Sequence, residues 1–98
     1  MQAIEGVARE IVARFDPVQV ILFGSYAYGE PTADSDVDLL ILMNSDRLPI
    51  QIAADISAGI DHPFALDILV YTPAQLASAV ERNATFATEV VTRGVVLA

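Results

Sequence analysis

Two aspartates separated by one residue, Asp36 and Asp38, open an apolar run from Leu39 to Met43. In a β-strand, residues i and i+2 point to the same face, so this spacing sets two carboxylates side by side. Adjacent carboxylates repel unless a proton or a cation sits between them. A hard divalent ion such as Mg2+ is the usual answer, because it takes oxygen ligands and leaves room for phosphate oxygens. Upstream, another apolar run, Val18 to Phe23, stops at Gly24-Ser25. Glycine permits close backbone approach, and a helix start offers free N–H groups, so such a bend suits phosphate. A third carboxylate, Asp67, interrupts the apolar run 65–71. A carboxylate buried there is costly unless paired or bound to metal.

Elements can be assigned that would position these groups. Ile4, Val7, Ala8, Ile11, Val12 and Phe15 recur at helical spacing and predict a helix over 2–15, ended by Asp16-Pro17. Residues 18–23 are nearly all apolar, as in a central strand covered on both faces. A short helical turn over 25–28 and a loop through Glu30-Pro31 and 32–35 lead to a second strand, 36–43. That link is too short for a crossover helix, so the two strands are expected to be antiparallel, with Gly24-Ser25 beside Asp36 and Asp38. Pro49 opens a helix to about residue 59 or 60, and the third strand, 65–71, reached through that helix, is expected to run parallel to the second. Thr72-Pro73-Ala74-Gln75 has the form of a capping box for a helix to about Arg82. A short helix over 85–92, Gly94 and a last strand over 95–97 complete the chain.

The pattern Gly-Ser-x-x-x-Gly, five residues, Ser-Asp-x-Asp-Leu resembles the signature of the DNA polymerase β-type nucleotidyltransferase superfamily. In size and wording it is similar to the minimal nucleotidyltransferases of the MNT branch, many of which resemble antitoxin partners of HEPN-domain toxins. The resemblance covers nearly the whole chain, with Asp67 where the family places its third carboxylate. It implies a single α/β (α+β) domain over 1–98: the minimal polymerase β-like fold, a small mixed sheet flanked by helices. It implies two Mg2+ ions bound by Asp36 and Asp38, with Asp67 completing the site that activates the attacking hydroxyl. It implies ATP as substrate, its triphosphate cradled by Gly24 and Ser25. Ser35 is counted with the nucleotide-binding residues, although capping the strand entry is its simpler role. Gly29 shapes the turn. The plainer alternative makes Asp36 a loop cap and Asp67 half of a buried pair with an arginine.

One position departs from the family pattern. Tyr28 stands where members often carry arginine, so the missing cation must come from a partner or from Arg47 or Arg82. Tyr26 and Tyr28 are read as packing or interface residues before base-stacking ones. His62 is read as a turn residue, Arg9 and Arg14 as a solvated helix face, and Phe15, Phe23, Phe64 and Phe86 as core.

Composition narrows the function. The net charge is -8, with five arginines and no lysine, a poor basis for direct nucleic-acid binding. Apolar residues make up 54% of the chain, which excludes disorder and leaves open whether the surplus serves a partner interface or the core alone. Without cysteine there is no disulfide framework and no thiolate metal site. No signal peptide or membrane-spanning run is evident, so the cytoplasm is expected.

The family resemblance implies three functions to weigh. The first is AMP transfer from ATP to a tyrosine hydroxyl of a partner HEPN toxin ribonuclease, the activity of a type VII toxin–antitoxin antitoxin. The second is an antitoxin that neutralises its toxin by binding alone. The third is a small-molecule adenylyltransferase, for which a larger chain would be expected.

Overall fold

A computed structural model describes residues 2–32 and 34–98. Met1 and Ala33, the latter within the expected 32–35 loop, lie outside the described residues. The elements follow in the order α1 (Gln2–Phe15), β1 (Gln19–Phe23), α2 (Ser25–Tyr28), β2 (Val37–Leu42), α3 (Pro49–Gly59), β3 (Leu66–Tyr71), α4 (Pro73–Glu81), α5 (Thr85–Arg93) and β4 (Val95–Val96). The strands form one mixed sheet of order β3-β2-β1-β4. As the short link requires, β1 and β2 are antiparallel. As the helical crossover requires, β2 and β3 are parallel. β4 returns antiparallel to β1.

Strand alternation divides the core into two layers. Val20, Leu22, Val37, Leu39, Ile41, Ile68 and Val70 meet α1 and α3 on one face, through Ile4, Val7, Ile11, Ile52 and Ile56. Ile21, Phe23, Leu40 and Leu42 meet α4 and α5 on the other, through Leu76, Ala79, Ala87 and Val90. β1 and β2 are therefore covered on both sides, which explains their continuous apolar sequences. The helix starts follow local chemistry. Thr72 and Gln75 exchange side-chain and backbone hydrogen bonds in a full capping box, and Pro73 takes the first turn of α4. Pro49 plays the same opening role in α3.

Two expectations need adjusting. The strands are shorter than their apolar runs: Val18 is exposed and Met43 lies just past β2. β3 is an edge strand whose second face is only partly covered. There Leu69 is 37% exposed, and of the β3 side chains only Tyr71 packs against the α4–α5 layer. Of the four phenylalanines, Phe23 is buried, whereas Phe15, Phe64 and Phe86 are half-buried against the two clusters.

Candidate active site

The antiparallel pairing of β1 with β2 sets Phe23 opposite Asp38. The parallel pairing of β2 with β3 sets Asp38 level with Asp67. Neighbouring residues in register share a face of the sheet, and Asp36 lies two residues before Asp38. All three carboxylates therefore gather at one end of the α4–α5 face, beside the end of β1. Their electrostatics agree. Burial, then the charge of Asp67, then that of Asp36, raise the pKa of Asp38 above the ordinary carboxylate range. Asp38 is half-buried, while Asp36 and Asp67 are exposed. Asp67 is thus no buried charge within its strand, and no arginine pairs with it among the described residues. It escapes burial because the α4–α5 layer covers β1 and β2 but not this end of the edge strand.

Gly24 closes the other side. Its backbone sits at φ 74°, ψ -157°, a region open essentially to glycine alone. A Cβ at this position would run into the Asp38 carboxylate, with Cγ only 3.1 Å away. The bend therefore lies directly against the carboxylate, and glycine is required for both reasons. Past it, the backbone N–H groups of Ala27 and Tyr28 donate to the Gly24 carbonyl and form the turn of α2. Gly29 ends that turn. A side chain there would meet the Ser25 backbone at 2.9 Å, which fits the shaping role expected of it. Ser35 is engaged in its own loop: its hydroxyl accepts from the Thr32 N–H at 2.9 Å, and its N–H donates to the Thr32 carbonyl at 3.1 Å. It holds the entry to β2 and, among the described residues, makes no hydrogen bond to Gly24 or Ser25.

The aromatic pair next to the bend divides between layers. Tyr26 packs against the α1–α3 cluster and Tyr28 against the α4–α5 cluster. The cation at Tyr28 is neither Arg47 nor Arg82. Arg47 pairs with Asp55 beyond the far end of β2. Arg82 lines a cavity of about 430 Å3 with Pro49, Tyr71 and Phe86, also toward the far ends of β2 and β3. It is Arg93, at the end of α5, whose guanidinium lies 4.6 Å from the Tyr28 ring centre. Sequence reasoning missed this residue. Its proximity depends on β4 pairing back onto β1, a long-range contact with no local signal.

The donor chemistry is that of a hard cation: three carboxylate groups, one of them with its ionised form disfavoured by burial and then by the other two, and no neutralising arginine among the described residues. Among those residues no three acidic or histidine side chains are arranged to hold a metal ion by themselves. The cluster is an open platform whose remaining ligands would come from water and substrate, as Mg2+ prefers.

This charge cluster predicts a pH response. A carboxyl with a raised pKa holds its proton more tightly in the folded chain than in the unfolded one. Over the window that starts at the ordinary aspartate pKa and extends above it, folding takes up protons, so stability falls as pH rises. Metal-free protein should therefore melt higher as pH is lowered from 7 toward that range. Mg2+ should raise the melting temperature more at pH 7 than at pH 4, close to the ordinary aspartate pKa, where protons compete with the cation. Thermal scans in EDTA and in Mg2+ at the two pH values would check this, and equal Mg2+ effects at both would contradict it.

A glycine bend packed against a carboxylate cluster at the end of a mixed sheet defines a site suited to metal-assisted chemistry on phosphates. Residues 4–90 match the model of the nucleotidyltransferase domain, and the chain belongs to that family, within the polymerase β-like superfamily. No curated protein and no solved structure gives a significant match.

Proposed function

We propose that the chain is a Mg2+-dependent protein adenylyltransferase that moves AMP from ATP onto a tyrosine hydroxyl of a HEPN-type toxin ribonuclease, acting in the cytoplasm as a type VII antitoxin. The observation that carries the catalytic part is Asp38, flanked by Asp36 and Asp67 and pressed against Gly24. In the reaction the acceptor oxygen forms a bond to the α-phosphorus. The bond from that phosphorus to the bridging oxygen breaks, and pyrophosphate leaves with the electron pair. The acceptor proton passes to a base, for which exposed Asp67 is well placed. Two Mg2+ ions held by Asp36, Asp38 and Asp67 would stabilise the entering and leaving oxygens. Gly24 lets the triphosphate approach the backbone, and Ser25 offers a hydroxyl beside it.

Support for a protein acceptor comes from the surface. Leu48 and Ile50 are 61% and 77% exposed, and Ile50 and Leu69 border a cavity of about 270 Å3 along α3 and β3. β3 also carries Asp67, so a partner covering this patch would pass close to the carboxylates. Added AMP would put charge and bulk where the toxin must bind RNA.

The test is to incubate the chain with labelled ATP, Mg2+ and a HEPN toxin encoded beside it. Label on the toxin is expected, and an unlabelled toxin would refute the proposal. The same exposed surface suits an antitoxin that works by binding alone. In that case, Asp36→Asn would leave neutralisation in cells intact, whereas the enzymatic reading expects toxicity to return.

A further inference from the structure

The last helix delivers a cation to the bend. β4 pairs Val95 with Leu22, so α5 ends beside the end of β1 that carries Gly24. The seat is tight: a side chain at Gly94 would strike the Val90 carbonyl and come within 2.8 Å of Ile21. From this position Arg93 lays its guanidinium over Tyr28, 4.6 Å from the ring centre, and Nη2 donates to the Tyr28 carbonyl at 3.2 Å. Its acidic neighbour is Glu89, one turn back on α5 at 3.7 Å, and the side chain is 53% exposed. The other arginines are engaged elsewhere or lie on other surfaces: Arg14 with Glu10, Arg47 with Asp55, Arg82 with the Ser78 carbonyl, and Arg9 on α1.

We infer that Arg93 binds the outer phosphates of the nucleoside triphosphate, with Tyr28 as the platform that orients it; this rests on the nucleotidyl-transfer reading. β1 separates two poles. β2 brings Asp38 to one side of it and β4 brings Arg93 to the other. Neighbouring strands lie about 4.8 Å apart, so the poles stand roughly 10 Å apart across the bend. A triphosphate lying over the bend places its reacting phosphorus at the carboxylates and its outer phosphates toward the arginine. With Nη2 on the Tyr28 carbonyl and Nη1 beside Glu89, the guanidinium over the ring keeps further N–H groups for phosphate oxygens, which its planar fork matches. Without such a cation the acidic cluster alone would repel the part of the substrate that departs as pyrophosphate.

The experiment is calorimetric titration, with Mg2+, of a non-hydrolysable ATP analogue, pyrophosphate and AMP. Arg93→Ala should weaken the analogue and pyrophosphate about tenfold, the loss typical of one charge-assisted hydrogen bond, and leave AMP within about twofold. Arg93→Lys should recover part of the loss, and Arg93→Glu should deepen it. Tyr28→Ala should give a smaller loss for the same two ligands, with the effect in turnover falling on the KM for ATP rather than on kcat. Unchanged binding of the analogue to Arg93→Ala and Arg93→Glu, or an equal loss for AMP, would overturn the assignment. Failure of the wild-type chain to bind any triphosphate would instead overturn the nucleotidyl-transfer reading beneath it.

Discussion

Asp38→Asn is expected to reduce nucleotidyl transfer on the order of a thousandfold or more and, in metal-free protein, to leave the fold as stable as before or more stable. The two effects share a cause. Asp38 is the most sheltered of the three carboxylates, and its ionised form is disfavoured by burial and by Asp67 and Asp36. A neutral amide of the same shape relieves that repulsion and removes the charge a divalent ion needs. A residue kept for packing behaves differently: its loss lowers stability and, through it, activity. Melting curves with and without Mg2+, recorded beside the labelled-ATP assay, separate the cases. Asp38→Asn should lose most of the Mg2+-dependent stabilisation seen with wild type. Retained transfer, or a lowered metal-free melting temperature, would show that Asp38 does not carry the chemistry.

Gly24→Ala is the second large effect. The backbone conformation alone costs a non-glycine residue about 1–3 kcal/mol. The new methyl group would also overlap the Asp38 carboxylate, so either the bend or the aspartate must move. A displacement of about 1 Å at a reacting centre can cost on the order of a hundredfold in rate, and transfer should fall by at least that much. Adding Asp38→Ala to Gly24→Ala removes the overlap but not the backbone strain. The double variant should therefore regain part of the lost stability in urea unfolding and none of the activity. Full stability in Gly24→Ala alone would mean that the bend adapts freely and does not hold the carboxylate in place.

Much of this site was legible because its parts are local. The Asp36–Asp38 spacing fixes a shared face without reference to any other element. The short link after β1 dictates an antiparallel return, and the helix between β2 and β3 dictates a parallel one, which brings Asp67 level with Asp38. The capping box at Thr72 is likewise written in four consecutive residues. What could not be read depends on distant contacts. The exposure of Asp67 reflects which strands the α4–α5 layer covers, a tertiary choice that an apolar run does not reveal. Ser35 conforms to the motif, yet its hydrogen bonds are spent on Thr32. Arg93 escaped because a helix ending in arginine is common, and only the return of β4 onto β1 carries it to Tyr28.

The level pairing of Asp38 with Asp67 also has a consequence for how relatives of this chain can diverge in length. Side chains along a strand alternate with strict parity. One residue gained or lost within the first positions of β3 would send the third carboxylate to the α3 side, whereas the turn ahead of it, around His62 and Pro63, can absorb changes without reversing anything. Insertions and deletions in this lineage should thus accumulate in that turn and be purged a few residues later.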